Sequence, residues 1–250
     1  LMIGAGAVAT SVAYWLMHWG WDGDWTVVDA DHVALHNTNR CLLFFPDDAG
    51  WPDSPQRLKT RCLARYLPRV RAIDECYDRA DVVRDDVFDT VLVLANDRNV
   101  RTLASRRNDP IQLEATTSPT WGAQLHRHVV HHDDCPGCRM AEVASATFDC
   151  ATVPIINQQE TDHTDAALPF LSAASGLMLA SALRRLQAGG FCSSRSNIWS
   201  WDFKSGLAMT QYGIRRCDED CTNRLPRESV RQLAASTRWR GEPWLASALA

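Results

Sequence analysis

Leu1-Met-Ile-Gly4-Ala-Gly6-Ala-Val-Ala9 opens the chain as an apolar run that stops at a pair of glycines, and an apolar-rich segment continues to His18. This is a G-x-G-x-x-A pattern between a predicted strand and a predicted helix. Glycines there permit a tight turn, and the free N–H groups of the helix start attract a phosphate. Gly4 and Gly6 are therefore candidate nucleotide-binding residues. The alternative is a tight strand–helix turn with no ligand.

Strand and helix patterns alternate from this turn to about residue 115. Trp25-Thr-Val-Val28 is a second apolar run, and residues 89–95 form a third that is apolar on both faces, as in a buried parallel strand. Such alternation predicts an α/β, Rossmann-like, doubly wound and mostly parallel sheet. The other elements predicted here are helices at about 7–18, at 55–67 and ending near 107, and strands at 70–76 and 111–115.

After residue 115 the pattern becomes antiparallel. Strands are predicted at 124–130, 198–203 and 207–212, with a loop at 141–164 and a long helix at about 165–188. We therefore divide the chain into a domain at 1–221 and a helical appendage at 222–250. The domain comprises a nucleotide-binding half at about 1–115 and a second half at about 116–221.

Composition excludes several classes of protein. Of the 250 residues, 46% are hydrophobic, which is enough for a packed core, and the net charge of −4 argues against nucleic-acid binding. The nine cysteines are an odd number that suits a reducing, cytoplasmic setting better than a disulfide framework.

The apolar stretch 168–186 contains Ser residues and ends in two arginines, so we predict a buried helix and no membrane span. Leu1 lies inside a predicted strand, so we expect a truncated start and no signal peptide.

Asp29 closes the second predicted strand, where a carboxylate binds ribose hydroxyls in Rossmann-type sheets. Up to this residue an NAD-dependent oxidoreductase fits equally well. The next residues differ, because Asp29-Ala-Asp31-His-Val-Ala-Leu-His-Asn37-Thr-Asn39-Arg40 resembles the D-x-D-x-V-x-x-x-N-x-x-R signature of the ThiF/MoeB/ubiquitin-activating superfamily. Further motifs occur downstream in the same order as in that superfamily: a helix with Lys59, and the segment Leu94-Ala-Asn-Asp97.

The resemblance implies ATP-dependent adenylation of a carboxylate. Arg40 and Lys59 would hold the triphosphate, and Asp97 would hold Mg²⁺, which favours carboxylates and phosphate oxygens. Asn37 and Asn39 would add neutral hydrogen bonds, and Asp29 would bind the ribose. The alternative interpretation of Asp31 is the cap of a turn, and that of Arg40 and Lys59 is solvated surface charges.

Two cysteine pairs follow the predicted parallel half: a C-x₂-C at Cys135 and Cys138, and a C-x₃-C at Cys217 and Cys221. Four thiolates at such spacings suit a closed tetrahedral Zn²⁺ site, and similar pairs are frequent in the superfamily. The alternatives are a redox motif or unrelated buried thiols. We predict a four-cysteine structural zinc site. The neighbouring histidines, His126, His128, His131 and His132, are predicted to lie on an exposed strand face and the turn after it.

Cys150 lies in the loop that supplies a reactive thiol in thioester-forming relatives. It could attack an acyl-adenylate as a nucleophile, or it could be a buried structural thiol. We treat Cys41, Cys62, Cys76 and Cys192 as packing residues.

The resemblance implies an activating enzyme that uses ATP and Mg²⁺. Its expected partners are a ubiquitin-like or sulfur-carrier protein with a C-terminal glycine, a downstream conjugating or sulfur-transfer protein, and a second copy in a homodimer. The alternatives are a catalytically idle nucleotide-binding scaffold subunit and an enzyme that adenylates a peptide or a tRNA base.

Overall fold

The computed structural model shows an α/β fold built on one eight-stranded mixed sheet. The strand order is β3-β2-β1-β4-β5-β6-β7-β8; the first five strands in this order are parallel, and β6, β7 and β8 are antiparallel to their neighbours. The predicted doubly wound sheet with an antiparallel extension is confirmed. The structure describes residues 1–80, 83, 86, 88–96, 98–105, 107, 109–118, 120–129, 132–139, 168–188, 195–206, 208–215, 217, 219 and 221.

The strands and helices follow the sequence pattern closely in the parallel half. The strands are β1 (Met2–Ile3), β2 (Trp25–Val28), β3 (Val70–Ile73), β4 (Val91–Val93), β5 (Ile111–Ser118), β6 (Gly122–Val129), β7 (Ser196–Asp202) and β8 (Ala208–Gly213). The α-helices are α1 (Ala7–His18), α2 (Lys59–Leu63), α3 (Arg98–Ser105), α4 (Pro136–Arg139) and α5 (Pro169–Gln187), with 3₁₀ turns at Leu35–Asn37 and Pro46–Ala49.

Alternate residues of the strands bury two apolar layers, one on each face of the sheet. Met2, Val27 and Leu92 point to the layer beneath α1 and α5. Ile3 and Val93 point to the opposite layer, beneath α3. Both faces are apolar because parallel strands in a doubly wound fold are covered by helices on both sides. The covering helices hold the carboxyl ends of the parallel strands at one edge.

The helix predicted at 55–67 is wrong in length, since α2 is confined to Lys59–Leu63. The backbone before it is extended and bonded to a distant loop: the Val33 N–H donates to the Arg57 carbonyl at 2.8 Å, and the Lys59 N–H donates to the Asp31 carbonyl at 2.9 Å. These long-range bonds use the backbone groups that an earlier helical start would need.

The long helix is confirmed as α5 from Pro169 to Gln187, and it is packed inside its own fold against α1, β5 and β6. None of the described helices combines the length and apolarity needed to cross a membrane. The loop at 141–164, Cys150 and the appendage at 222–250 lie outside the described residues.

Helices α1 and α5 approach each other closely at Gly176. A Cβ on Gly176 would overlap the Ser11 side chain and would lie 3.0 Å from the Val12 backbone nitrogen. Ser11 and Gly176 are both buried, and the Ser11 hydroxyl donates to the Ala173 carbonyl at 3.1 Å. A small residue is therefore required at this helix crossing.

Gly176→Ala is expected to lower the free energy of unfolding by about 1–3 kcal/mol, because the added methyl group overpacks the crossing. The measurement is urea unfolding followed by circular dichroism. Ser181→Ala on the exposed face of the same helix is the matched control and should change stability by less than about 0.5 kcal/mol. Equal stability of the two variants would contradict the close crossing.

Candidate active site

An open cleft lies at the carboxyl edge of the sheet, where the strand order reverses between β1 and β4. This is the place where open α/β sheets bind ligands. The cleft has about 1240 Å³ of empty space, part of it open to solvent. Of the predicted site residues, the structure brings together Gly4, Gly6, Asp29, Asp31, Arg40 and Lys59 on its walls.

The two glycines of the turn serve different purposes. Gly4 has φ +94°, and a Cβ there would lie 2.7 Å from the Ala95 backbone nitrogen, at the end of β4. Gly6 has an ordinary φ of −87° and precedes α1, and a Cβ there would meet nothing within 4 Å. Gly4 is therefore required by the fold, whereas Gly6 leaves open space at the start of α1 that a ligand could occupy.

Asp29 holds the glycine turn against the end of β2. One carboxylate oxygen accepts the Ala5 N–H at 2.6 Å, and the other accepts the Asp31 N–H at 2.8 Å. Burial raises the pKa of Asp29, although Lys59 and the Ala5 N–H act in the opposite direction. A carboxylate with lone pairs remaining at the cleft wall can accept hydrogen bonds from ribose hydroxyls.

Lys59 forms an ion pair with Asp31, with Nζ 2.7 Å from the carboxylate. The lysine side chain is only 13% exposed, whereas that of Asp31 is 51% exposed. Burial disfavours the ammonium ion, but the nearby Asp29 and Asp31 carboxylates outweigh it and raise the pKa of Lys59. Lys59 is thus a mostly buried positive charge, fixed in the cleft by Asp31. It is not the solvated surface charge of the alternative interpretation.

Arg40 and the two asparagines have separate positions in the 31–40 segment. Arg40 is half-buried on the cleft wall and donates to the His36 carbonyl at 3.1 Å. Asn37 is buried, and its side-chain oxygen accepts the Ala34 N–H at 2.9 Å, which holds the 3₁₀ turn together. Asn39 is exposed. In the described structure neither asparagine is part of the cleft wall, and their role in binding nucleotide stays a prediction.

Two predicted catalytic residues, Asp97 and Cys150, lie outside the described residues. Asn96, which directly precedes Asp97 after β4, lines the cleft. The predicted Mg²⁺ ligand and the predicted nucleophile therefore stay predictions.

Several residues of the cleft wall belong to none of the sequence motifs. Among them are Glu75, Cys76 and Tyr77, which follow β3. Their position could have been predicted, because parallel strands end at the same edge of a sheet. Arg101 on α3 donates to the Ala95 carbonyl at 3.2 Å, and Ser172 on α5 has a buried hydroxyl without a hydrogen-bond partner among the described residues. The local sequence does not predict that Ser172 lines the cleft, because Ser172 belongs to α5, which is distant in sequence from the other residues of the cleft wall.

The two cysteine pairs meet in space. All four Sγ atoms lie within 4.8 Å of one another, and Cys135 Sγ is 3.7 Å from Cys221 Sγ. Tetrahedral Zn²⁺ with Zn–S bonds of about 2.3 Å places sulfurs about 3.8 Å apart. The Cys135 thiol and burial together raise the pKa of the Cys217 thiol, so a cation is the natural means of keeping four thiolates at this spacing. The cluster fits a metal ion, and its assignment to Zn²⁺ is a proposal.

Cys41 and Cys62 are packing residues as expected. Both are buried, and burial raises the pKa of each thiol to about 11. Cys76 is half-buried on the cleft wall, so its assignment to packing was incomplete.

The prediction of an exposed histidine face was wrong for His126 and His128, which are 6% and 3% exposed. Strand β6 pairs with β5 on one side and with β7 on the other, so it is an interior strand of the sheet and not an exposed edge.

Comparison with solved structures finds the same architecture in proteins of low sequence identity. The microcin C7 biosynthetic enzyme MccB, solved with N-formylated MccA, superposes with a TM-score of 0.63 at 17% identity, covering 87% of this chain and 65% of MccB. The chain has the MccB fold. Escherichia coli MccB solved with ATP gives a TM-score of 0.63 at 17% identity, covering 88% of this chain and 64% of MccB.

A second solved protein, PaaA, superposes on this chain with a TM-score of 0.54 at 14% identity, covering 85% of this chain and 62% of PaaA. The chain thus spans slightly less than two thirds of the length of these proteins. No family model and no curated protein matches the sequence. The likeness establishes the fold.

Gly4→Ala and Gly6→Ala are expected to differ sharply in stability. Gly4→Ala should lower the free energy of unfolding by about 1–3 kcal/mol, because the residue has positive φ and its Cβ would press on the β4 backbone. Gly6→Ala should change it by less than about 1 kcal/mol. Thermal and urea unfolding measure both. Loss of stability in Gly6→Ala alone would contradict the assigned geometry.

The cysteine cluster is expected to retain one zinc ion per chain after purification, measured by atomic emission. Cys138→Ser should reduce the metal content and lower the unfolding temperature, because three thiolates bind Zn²⁺ less tightly than four. Cys76→Ser, a half-buried thiol outside the cluster, is the control and should keep the metal. Metal-free protein with unchanged stability would contradict a structural metal site.

Proposed function

We propose that this chain is an ATP-dependent adenylyltransferase that activates the C-terminal carboxylate of a peptide or protein. The observation that carries the proposal is the convergence of a glycine turn, a carboxylate and two cations in one cleft. Gly6 and the start of α1 offer backbone N–H groups, Asp29 offers hydrogen-bond acceptors, and Arg40 and Lys59 offer positive charge. Together these groups match the phosphates and the ribose of ATP.

The chemistry is attack of the acceptor carboxylate on the α-phosphate. A bond forms between a carboxylate oxygen and Pα, the bond from Pα to the bridging oxygen breaks, and pyrophosphate leaves with that oxygen. Negative charge grows on the leaving group, and in this proposal Lys59 and Arg40, which both line the cleft, stabilise it. Holding the acceptor carboxylate next to the α-phosphate of ATP supplies the rest of the rate enhancement. Mg²⁺, which Asp97 is predicted to hold, would neutralise phosphate charge.

Lys59 would change partner when nucleotide arrives. In the described structure its ammonium group is bound to Asp31, whose side chain is half exposed. A phosphate carries more negative charge than one carboxylate, so the flexible lysine can turn to it while Asp31 keeps the chain in place through its backbone bond to Lys59. The ion pair holds Lys59 ready beside the cleft.

A peptide or protein acceptor is supported by the MccB fold, since MccB has been solved with the peptide MccA, with ATP and with AMPCPP. The superfamily resemblance extends the range of acceptors to ubiquitin-like or sulfur-carrier proteins with a C-terminal glycine. Transfer from the adenylate to Cys150, followed by a conjugating or sulfur-transfer partner, is a further step of the same proposal. A homodimer is the expected assembly.

Nucleotide binding is tested with Mg²⁺ and the non-hydrolysable AMPCPP by calorimetry. Lys59→Met and Gly6→Ala should each weaken binding by at least about tenfold, because one removes a phosphate charge and the other fills the space beside the helix start. Arg61→Met is the matched control on the same helix, since Arg61 is exposed and paired with Asp74. Equal binding by Lys59→Met and Arg61→Met would contradict the role of Lys59.

Adenylation is tested by ATP–pyrophosphate exchange with a pool of peptides that have free C-terminal carboxylates. The same pool with amidated C-termini is the control, since an amide cannot form an acyl-adenylate. Exchange should require the free carboxylate and should be lost in Asp97→Ala and retained in Cys150→Ala. Nucleotide binding without exchange for any acceptor would favour the idle scaffold subunit over the enzyme.

A further inference from the structure

A second cavity adjoins the nucleotide cleft on the α3 face of the antiparallel strands. Its floor is a row of paired residues, one from each of β5 to β8: Glu114, His126, Ile198 and Tyr212. Arg101 and Thr116 line both the cavity and the cleft, so the two spaces share a wall. The cavity has about 900 Å³ of empty space, part of it open to solvent.

This floor is polar where a sheet covered by helices is normally apolar. On β5, Leu113 faces the apolar layer beneath α5, whereas Gln112 and Glu114 face the cavity side and are buried. Gln112 donates to the Glu114 carboxylate at 2.9 Å. Buried polar side chains cost free energy unless each is satisfied, so a row of them indicates a use beyond packing.

His126 is the member of the row that is not satisfied. Its side chain is 7% exposed, its Nδ1 lies 3.8 Å from the Glu114 carboxylate, and its Nε2 has no hydrogen-bond partner among the described residues. Arg101 and His126 hold the pKa of Glu114 below its usual value despite burial, which keeps Glu114 ionised at neutral pH. With a proton on each ring nitrogen, Nδ1–H faces the Glu114 carboxylate, and Nε2–H is left to donate to an anionic ligand.

Three arginines line the cavity, and they differ in the partners that the described residues give them. Arg101 lies 3.9 Å from Glu114, and Arg139 is paired with Asp134 at 2.6 Å. Arg215 also lines the cavity, is exposed, and forms no ion pair with the residues that the structure describes. An anionic group bound here would therefore meet Nε2–H of His126 and the guanidinium group of Arg215, which the described residues leave without a partner.

We infer that this cavity binds a carboxylate side chain of the acceptor, one close to the acceptor's reacting C-terminus. The inference rests on the proposed function, because it places the reacting carboxylate in the cleft and a neighbouring carboxylate in the adjoining cavity. The shared wall of Arg101 and Thr116 keeps the two anions apart. The acceptor is then a peptide or protein with Glu or Asp at or beside its C-terminus, and a C-terminus of glycines alone leaves the cavity empty.

The test uses the whole chain and matched tetrapeptides, acetyl-Gly-Gly-Gly-Glu against acetyl-Gly-Gly-Gly-Gln and acetyl-Gly-Gly-Glu-Gly against acetyl-Gly-Gly-Gln-Gly. Dissociation constants are measured by NMR titration in the presence of AMPCPP and Mg²⁺, with the imidazole signals of His126 as the direct readout. One Glu peptide should bind at least about tenfold more tightly than its Gln partner and should shift the His126 Nε2 signal. In His126→Gln and Arg215→Gln the preference should fall below about threefold.

His18→Gln is the control, because His18 is exposed at the end of α1, and it should keep the preference. The inference is overturned if the wild-type protein shows no preference for Glu, or if His126→Gln and Arg215→Gln both keep it. It is also overturned if inorganic phosphate shifts the His126 signal while neither Glu peptide does, since the cavity would then bind free anions.

Pyrophosphate exchange separates this inference from the proposed function. A preference for the Glu peptides at His126 without any exchange supports the cavity and contradicts adenylation. Exchange with an all-glycine C-terminus at the same rate as with a Glu peptide supports adenylation and contradicts the cavity.

Discussion

The hydrogen bond from the Ala5 N–H to the Asp29 carboxylate is the contact on which the cleft depends. It joins the turn after β1 to the end of β2, two segments that only the sheet brings together. The second oxygen of Asp29 fixes the Asp31 backbone, and the Asp31 backbone in turn accepts from Lys59. The half-buried Asp29 carboxylate thus sets the position of the glycine turn, the start of the 31–40 segment and Lys59. Removing a carboxylate from water costs free energy, and the Ala5 and Asp31 N–H groups offset this cost for Asp29.

Sequence predicted the parallel half well because its signals are local. Apolar runs such as Trp25–Val28 and the glycine turn determine strands and a helix start within a few residues, and these were confirmed to within one or two residues. The order of the cleft residues also followed from the sequence, because strands of a doubly wound sheet end at one edge. The convergence of Gly6, Asp29, Arg40 and Lys59 could be expected before the structure.

The missed features depend on pairings between distant segments. Leu58 is extended because His32 bridges to it, and nothing within the 55–67 segment reveals that partner. His126 alternates with apolar residues as an exposed strand residue would, and only the pairing of β7 with β6 shows that it is buried. Ser172 reaches the cleft from a helix more than half the chain away from the glycine turn. Periodicity reports which side of a strand a residue occupies, and it does not report what covers that side.

The cysteine cluster joins chain segments on either side of α5, β7 and β8. A metal ion bound by all four thiolates would close a loop of the chain between Cys138 and Cys217, and a disulfide closing a loop of this length destabilises the unfolded chain by about 4 kcal/mol. Arg139 follows Cys138 in the chain, Arg215 precedes Cys217 by two residues, and both arginines line the second cavity. If the cluster binds a metal ion, the placement of this wall of the second cavity depends on metal supply. The glycine turn and strands β1 to β4 contain no member of the cluster, so loss of the metal would loosen the second cavity more than the cleft.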